Sequence, residues 1–293
     1  MPPAGRRGAR RASLVSRVTP LRHRGFLAGL GLVLVWALAA ALAPLLAPHD
    51  PLAVPGGGQA ATLSPPGPLH PFGTDALGRD LLSRVLYAGR VSLAVGIGVE
   101  LVAAAIGGVV GLLAGYYGGR LDAVLMRTTD VVMAFPSLVL AIGLIAVFEE
   151  PGLDKVFLVL IALGWTTIAR VVRGEVLSLR NREYVQAARA VGVPNGVIIF
   201  RHILPNCVSP LLVGATIGVG GNMVAEAGLS FLGLGAQSPT ISWGAMLADG
   251  QTFLQSAPWV AIFPGLALAL TVLGVNLLGD GLRDLLDPRL RKW

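Results

Sequence analysis

The feature that most constrains this chain is a series of long apolar runs, because about 20 apolar residues are enough to cross the hydrocarbon layer of a membrane. The first run, residues 26–47, contains 22 residues and no charge. Charged residues make up 13% of the sequence, whereas a soluble domain carries about a quarter. The sequence therefore argues against a soluble globular enzyme and predicts an all-α, polytopic membrane protein.

Six runs are long enough, or can be extended far enough, to be membrane spans. Residues 226–256 contain many apolar residues but are also rich in Gly, Ser, Gln, Pro and Thr. We expect a re-entrant or interfacial segment there, with a seventh span as the alternative. The prediction is a transmembrane helical bundle of six spans with both termini on one side. The six runs are 26–47, 91–117, 131–148, 156–169, 206–225 and 257–279.

The distribution of Lys and Arg predicts the orientation of these spans. Positive charge accumulates in the cytoplasmic loops of membrane proteins. All but four of the 23 Lys and Arg residues fall on one side of the predicted bundle, the exceptions being Arg79, Arg84, Arg90 and Lys155. We therefore expect a multi-pass protein of the cell membrane with both termini in the cytoplasm. The first run is longer than the apolar core of a cleaved signal peptide, about 7–15 residues, which favours an uncleaved anchor.

Other function classes find little support in the sequence. The basic residues form short membrane flanks without interleaved aromatic residues, which argues against nucleic-acid binding. A single cysteine, Cys207, leaves no disulfide framework and no Cys-based zinc cluster. An integral-membrane enzyme would need a convergent cluster of His, Asp or Cys near an interface, and the sequence shows no such cluster.

Glu100 is the charged residue that lies deepest in a predicted span. An ionisable side chain near mid-membrane is costly and is by default a candidate functional residue. It could line a permeation path, or it could be a protonated carboxyl group that is hydrogen-bonded to a neighbouring helix. Asp130 and Glu226 lie close to span ends, so we expect both at the membrane interface.

Small residues recur every four positions after Glu100. Such a ladder lets two helices approach closely, so it predicts packing and no chemistry. Its members are Ala103, Gly107, Gly111, Gly115 and Gly119.

Residues 49–90 lie on the predicted external side and combine a Pro- and Gly-rich linker with a short amphipathic helix. Thr74 or Asp75 is the predicted cap of that helix, and Asp80 and Arg84 form a predicted i,i+4 ion pair. Some of these side chains could be cation ligands, but capping and a solvated ion pair are the interpretation that the sequence favours. The candidate ligands are His70, Asp75 and Asp80.

The loop at 170–205 reads as helix, break, helix. Asn181 can cap the first helix, Gly192 is placed to end it, and Pro194 to open the next. One face of the first helix is small and smooth, which suits close docking into a partner because alanine loses no rotamer freedom on binding. An amphipathic helix on the inner leaflet is the alternative. The smooth face consists of Tyr184, Ala187, Ala188 and Val191.

This loop resembles the EAA motif of ABC-transporter permease subunits, whose pattern is Glu-Ala-Ala, three residues, Gly, nine residues and Ile-x-Leu-Pro. Gln186-Ala187-Ala188, Gly192 and Leu204-Pro205 fall at the family spacing. Gln186 stands where the motif has Glu, and His202 stands where it has Ile.

The resemblance extends over roughly residues 70–290, and it is closest to the C-type permease subunit of dipeptide, oligopeptide and nickel importers. It implies a type I-like ABC importer fold. The segments that resemble peptide-type permeases include Phe72-Gly-Thr-Asp75, Gly115 to Asp122, Ala134-Phe-Pro136 and Leu229 to Gly235.

The resemblance implies a division of the chain and a set of site residues. The segments are a basic cytoplasmic N-terminus at 1–25, a first transmembrane helix at 26–48, an external linker and amphipathic helix at 49–90, and a permease core at 91–293 with a cytoplasmic coupling loop at 170–205. The residues implied in coupling to an ATPase are Glu183, Tyr184, Gln186, Ala187, Ala188, Arg189, Gly192, Leu204 and Pro205.

The resemblance also implies partners that supply the energy. The two lysines, Lys155 and Lys292, do not follow a Gly-rich loop, so we expect no Walker A site and no cofactor in this chain. ATP and Mg²⁺ would be bound by two cytoplasmic ATPase subunits. A second homologous permease, an external solute-binding protein and the lipid bilayer complete the expected partners. Peptides are the expected cargo, with nickel or another small solute as the alternative, and an ion-coupled secondary transporter is the competing class.

Overall fold

The computed structural model describes residues 24–54 and 62–286. Most of the basic segment predicted at 1–25 lies outside the described residues. The described chain is built from helices. They are α1 (Arg24–Ala41), α2 (Ala43–Leu46), α3 (Leu81–Tyr117), α4 (Gly119–Met133), α5 (Ser137–Ile145), α6 (Leu153–Leu179), α7 (Glu183–Ala190), α8 (Asn195–Val197), a π-helical segment (Ile198–Ile203), α9 (Leu204–Phe231), α10 (Trp243–Gln251) and α11 (Trp259–Leu286).

Five helices of the described chain are long and apolar enough to cross a membrane, and the bent pair α4–α5 gives six if it counts as one span. This agrees with the predicted number of spans. The five are α1, α3, α6, α8 continued through α9, and α11. Since α6 ends at Leu179, the first ten residues of the loop predicted at 170–205 belong to that helix.

The start of α3 differs from the prediction. Asp80 caps this helix, because its carboxylate accepts a hydrogen bond from the backbone nitrogen of Ser83 at 2.8 Å. The expected cap at Thr74 or Asp75 is therefore wrong. The separate amphipathic helix expected before residue 91 is wrong as well, since residues 81–90 are the first turns of one helix that continues to Tyr117.

The third predicted span is broken. The axes of α4 and α5 make an angle of 86°, and Pro136 lies immediately before α5. Proline lacks a backbone N–H group and disfavours a helical conformation of the residue before it, so the chain turns here. The span predicted at 131–148 is therefore formed by the end of α4 and by α5, with a bend between them.

The segment at 226–256 contains no seventh span. Its helix α10 has nine residues, about 14 Å in length, which is too short to cross a membrane. Glu226 lies near the end of α9 and is fully buried among the helices. Its carboxylate accepts hydrogen bonds from the hydroxyl groups of Ser92 at 3.4 Å and Ser230 at 2.7 Å.

The small-residue ladder of α3 packs against α6, as predicted. A Cβ atom at Gly111 would lie 2.5 Å from the carbonyl oxygen of Ala169, and one at Gly115 would lie 2.7 Å from the Cβ atom of Val176. The ladder ends there, because a Cβ atom at Gly119 would meet nothing within 4 Å among the described residues. Among the described helices, α3 and α6 share the most extensive interface, while α1 lies at the periphery against α11.

The replacement Gly111→Ala is expected to destabilise the bundle. The added methyl group meets backbone atoms of α6, so the two helices must separate, at a cost of about 1–3 kcal/mol. The check is the melting temperature of the purified protein in detergent, which should fall by several degrees. Gly31→Ala is the matched control, because a Cβ atom there meets nothing within 4 Å. Equal melting temperatures for both variants would contradict the packing role.

Candidate functional site

Helix α7 is packed into one end of the bundle. Val185 is fully buried, and Ala188 is half-buried against the same apolar cluster. This cluster, which we call the α7 cluster, draws on α3, α6, α7, the π-helical segment and α9. Its buried members are Ala104, Leu112, Tyr116, Ile168, Val172, Val176, Leu179, Val185, Ile198, Ile199, Ile203 and Cys207.

This packing partly buries one residue of the smooth face predicted for α7 and leaves the others exposed. Tyr184, Ala187 and Val191 are exposed, the last at 78% of its surface. Ala188 faces the α7 cluster instead. The surface that α7 offers to solvent is therefore centred on Ala187. Gln186, the residue that departs from the family motif, is also exposed.

The predicted end of α7 is confirmed, whereas its predicted cap is not. Gly192 has a φ of +79° and its backbone nitrogen donates to the carbonyl of Arg189 at 3.0 Å, which confirms it as the residue that ends the helix. Asn181 is not the cap. The residue at the cap position is Arg182, whose side chain makes no capping hydrogen bond, and Asn181 donates back to a carbonyl of α6.

Polar contacts tie α7 and its flanks to the end of α3. The guanidinium carbon of Arg189 lies 4.8 Å from the ring centre of Tyr116, a cation–π distance. The hydroxyl group of Tyr116 donates to the side-chain oxygen of Asn195 at 2.7 Å. Arg180 donates to the carbonyl of Gly115 at 2.9 Å. A displacement of α7 must therefore move or strain the end of α3.

The last two residues of the family motif lie where the loop joins α9. Leu204 begins α9 and is half-buried, and Pro205 is exposed in its first turn. The preceding turn is π-helical, with Ile198 and Ile203 fully buried in the α7 cluster. Short π-helical segments are rare and are often found at functional sites.

Ion pairs join α6 to α4 at the same end of the bundle. Arg173 donates to both carboxylate oxygens of Asp122, at 2.5 and 2.7 Å, which is the strong two-point geometry of an arginine–carboxylate pair. Asp130 is exposed and pairs with Arg170 at 2.6 Å. The segment Gly115 to Asp122 therefore connects α3, α4 and α6.

Glu100 lies beside a cavity of about 820 Å³ between α3, the end of α4, α5, α6 and α9. Its surface is 5% exposed. The side-chain nitrogen of Asn222 on α9 donates to one carboxylate oxygen, Oε2, at 2.9 Å. The other oxygen, Oε1, is buried and has no hydrogen-bond partner among the described residues. Glu100 therefore bonds to a neighbouring helix and also lies on a cavity wall.

The rest of the cavity wall is mostly apolar. Its polar members other than Glu100 are Ser137, Thr166, Thr167 and Asn222. The cavity is partly open to the surface, and Leu138, Ile217 and Val224 are among the wall residues that are exposed. Asn222 was not identified from the sequence, because a lone asparagine in an apolar run has no distinctive spacing.

Of the predicted cation ligands at the opposite end of the bundle, the side chains of His70 and Asp80 lie 2.8 Å apart, whereas Asp75 is paired with arginines instead. Asp75 accepts hydrogen bonds from backbone nitrogens of Leu77 and Arg79, and its carboxylate pairs with the guanidinium groups of Arg79 at 2.7 Å and Arg84 at 3.4 Å. Arg84 is buried beside Asp75. The predicted solvated pair between Asp80 and Arg84 is therefore wrong.

Comparisons with known proteins agree with this architecture. Residues 107–292 match the family described as the binding-protein-dependent transport system inner membrane component. Residues 21–66 match the N-terminal TM domain of oligopeptide transport permease C.

Individual relatives cover most of the chain. A putative peptide transport system permease protein of Brucella abortus is 45% identical over 271 residues, 92% of this chain and 90% of the relative. A dipeptide transport system permease protein of Haemophilus influenzae is 39% identical over 277 residues, 92% of each chain. A glutathione transport system permease protein of Pectobacterium atrosepticum is 47% identical over 226 residues, 77% of this chain and 75% of the relative. The chain therefore belongs to the family of binding-protein-dependent transport system inner membrane components, the permease subunits of ABC importers.

Proposed function

We propose that this chain is the transmembrane permease subunit of an ATP-driven importer that moves peptides across the cell membrane. The observation that carries the proposal is the family membership over residues 107–292, together with the exposed helix α7 at the position of the family's coupling motif. The relatives reported above are named for peptide, dipeptide or glutathione transport. These names favour peptides over the nickel alternative.

The proposed orientation places both termini and α7 in the cytoplasm. The excess of Arg in the flanks and loops of that side supports it. The proposed partners are two cytoplasmic ATPase subunits, which hold ATP and Mg²⁺, and an external solute-binding protein that delivers the peptide.

A second homologous permease subunit is proposed to cover the open side of the Glu100 cavity. Polar groups that face acyl chains are costly in a membrane, and Glu100 and Asn222 line this cavity. A second subunit on that side would enclose them in a path between the two permeases. Glu100 is then proposed as a residue of the substrate path, where its unpartnered Oε1 can accept a hydrogen bond from the ammonium group of a peptide once the side chain turns toward it.

Helix α7 is proposed to transmit the movement of the ATPase subunits to the spans. Switching a two-state equilibrium from 1:99 to 99:1 needs about 5.5 kcal/mol of differential interaction. A loosely held helix could not transmit that energy. The burial of Val185 and the contacts of Arg189 and Tyr116 hold α7 to α3 and α6, so movement of a partner docked at Ala187 would reach the cavity through these helices.

Uptake by vesicles that contain the permease, its partner subunits and the binding protein tests this function. Accumulation of a labelled dipeptide should require ATP, should persist after a proton ionophore removes the ion gradient, and should not be reduced by equimolar Ni²⁺. Uptake that follows an ion gradient without ATP would identify a secondary transporter instead. Competition by Ni²⁺ without uptake of the dipeptide would favour the nickel alternative.

A further inference from the structure

Two histidines and one buried carboxylate converge where the linker meets the start of α3. The Asp80 oxygen Oδ1 lies 2.8 Å from Nδ1 of His70 and 3.7 Å from Nδ1 of His49. One ligand atom from each of the three side chains lies within 4.8 Å of the other two. His49 follows α2, His70 lies in the linker and Asp80 caps α3. The sequence suggests His70 and Asp80 as candidate ligands but not His49, which the fold brings to them.

The spacing of these atoms is close to that of a metal centre. Ligands bound to zinc at about 2.0–2.2 Å in a tetrahedral arrangement are about 3.3–3.5 Å apart. The observed separations of 2.8 and 3.7 Å lie on either side of that value. Since all three ligand atoms lie within 4.8 Å of one another, side-chain shifts of about 1 Å would bring both nitrogens and the oxygen into coordination.

Neighbouring groups hold the carboxylate and one histidine in place. The other oxygen of Asp80, Oδ2, accepts hydrogen bonds from the backbone nitrogen of Ser83 at 2.8 Å and from its hydroxyl group at 2.7 Å. The same hydroxyl oxygen accepts from the backbone nitrogen of His49 at 3.1 Å. Such outer contacts orient metal ligands and strengthen binding.

The three side chains are buried to different extents, so that the side of the cluster formed by the histidines is open to solvent. Asp80 is fully buried, whereas the side chains of His70 and His49 are 21% and 44% exposed. Three protein ligands with an open side match the arrangement in which water takes a fourth position. Two imidazole nitrogens and one carboxylate oxygen suit zinc, whereas Mg²⁺ and Ca²⁺ prefer oxygen ligands only.

We propose that His49, His70 and Asp80 form a three-ligand site for a divalent transition metal of the zinc type. The bound metal would fasten the linker to the first turn of α3, close to the ion pairs of Asp75 and Arg84. This site lies in a different part of the fold from the Glu100 cavity, and none of its residues lines that cavity. The proposed metal is a resident ion that holds the linker, and the site does not depend on the proposed transport function.

Zinc binding by the full-length permease, purified with its partner subunits, tests the site. The preparation is stripped with a chelator, loaded with micromolar ZnCl₂, desalted and analysed for bound metal by mass spectrometry. Wild type should retain one more zinc per permease chain than His49→Gln or His70→Gln, and its apparent affinity should exceed theirs at least tenfold. Millimolar MgCl₂ should not displace the metal.

The matched control is His202→Gln, a histidine at the opposite end of the bundle that should leave zinc retention unchanged. Asp80→Asn removes the ligand charge while asparagine can still cap α3. This variant should lose the zinc but keep the elution profile of the wild type, which separates loss of metal from loss of fold. Equal zinc retention by wild type, His49→Gln and His70→Gln would overturn the proposal and leave a hydrogen-bonded His–Asp pair. The same conclusion follows if His202→Gln alone lowers retention.

Discussion

Replacing Ala187 with glutamate is expected to abolish peptide uptake while leaving the protein folded in the membrane. Ala187 is exposed on α7, so a longer side chain meets no part of this chain. Docked against an ATPase subunit, the new carboxylate would be buried without a partner, at a cost of about 3 kcal/mol or more. That is about a hundredfold in a docking equilibrium. The measurement is ATP-dependent uptake together with co-purification of the ATPase subunits.

Two further substitutions make this result specific. Ala53→Glu introduces the same side chain at an exposed position in the linker and should leave both readouts near wild type. Ala188→Glu is less informative, because Ala188 packs against the α7 cluster and its loss of uptake could come from local unfolding. If the Ala187→Glu protein still binds its ATPase subunits and transports at the wild-type rate, α7 is not the coupling helix.

Replacing Glu100 with glutamine is expected to lower peptide uptake about tenfold without reducing the amount of assembled transporter. Glutamine keeps the shape of the side chain and an oxygen that Asn222 can bind. It removes the negative charge available to a peptide ammonium group, and hydrogen bonds to charged groups contribute about 1.5–3 kcal/mol, which corresponds to tenfold or more. Initial rates of uptake at several peptide concentrations measure the effect.

Glu226→Gln is the matched control for this substitution. Glu226 is also a buried glutamate, but its oxygens accept hydrogen bonds from Ser92 and Ser230 and it does not line the cavity. Its replacement should therefore change thermal stability more than uptake. Equal loss of uptake in the two variants, in proportion to the loss of assembled protein, would show that Glu100 has a structural role only.

Features governed by local rules were predictable from the sequence. The apolar runs predicted the number of spans, and the small residues from Ala103 to Gly115 predicted close helix packing, whose partner the structure identifies as α6. Gly192 was recognisable as the end of a helix because only a few residue types tolerate its positive φ. The family motif also located α7, because all of its positions lie within one continuous stretch of chain.

Features that depend on contacts between distant segments were not predictable. The sequence favoured Thr74 or Asp75 as the cap of α3, but Asp75 pairs with Arg79 and Arg84, and Asp80 caps the helix instead. The smooth face predicted for α7 is divided because the α7 cluster holds Val185 and therefore turns Ala188 inward.

Long-range pairings account for the remaining differences. Asn222 binds Glu100 across 122 positions of the sequence. His49 joins His70 and Asp80 only because the linker folds back on α3.

The open side of the Glu100 cavity also has a consequence for the supply of this protein in a cell. A chain inserted without the subunit that is proposed to cover this side would leave the cavity, with the half-buried Asn222 and the buried Glu100 on its wall, open to acyl chains. Such an orphan chain is a natural target for membrane quality-control proteases. Its steady-state level should therefore follow the synthesis of its partner, so that overexpression of this chain alone yields little protein and a balanced gene dosage restores it.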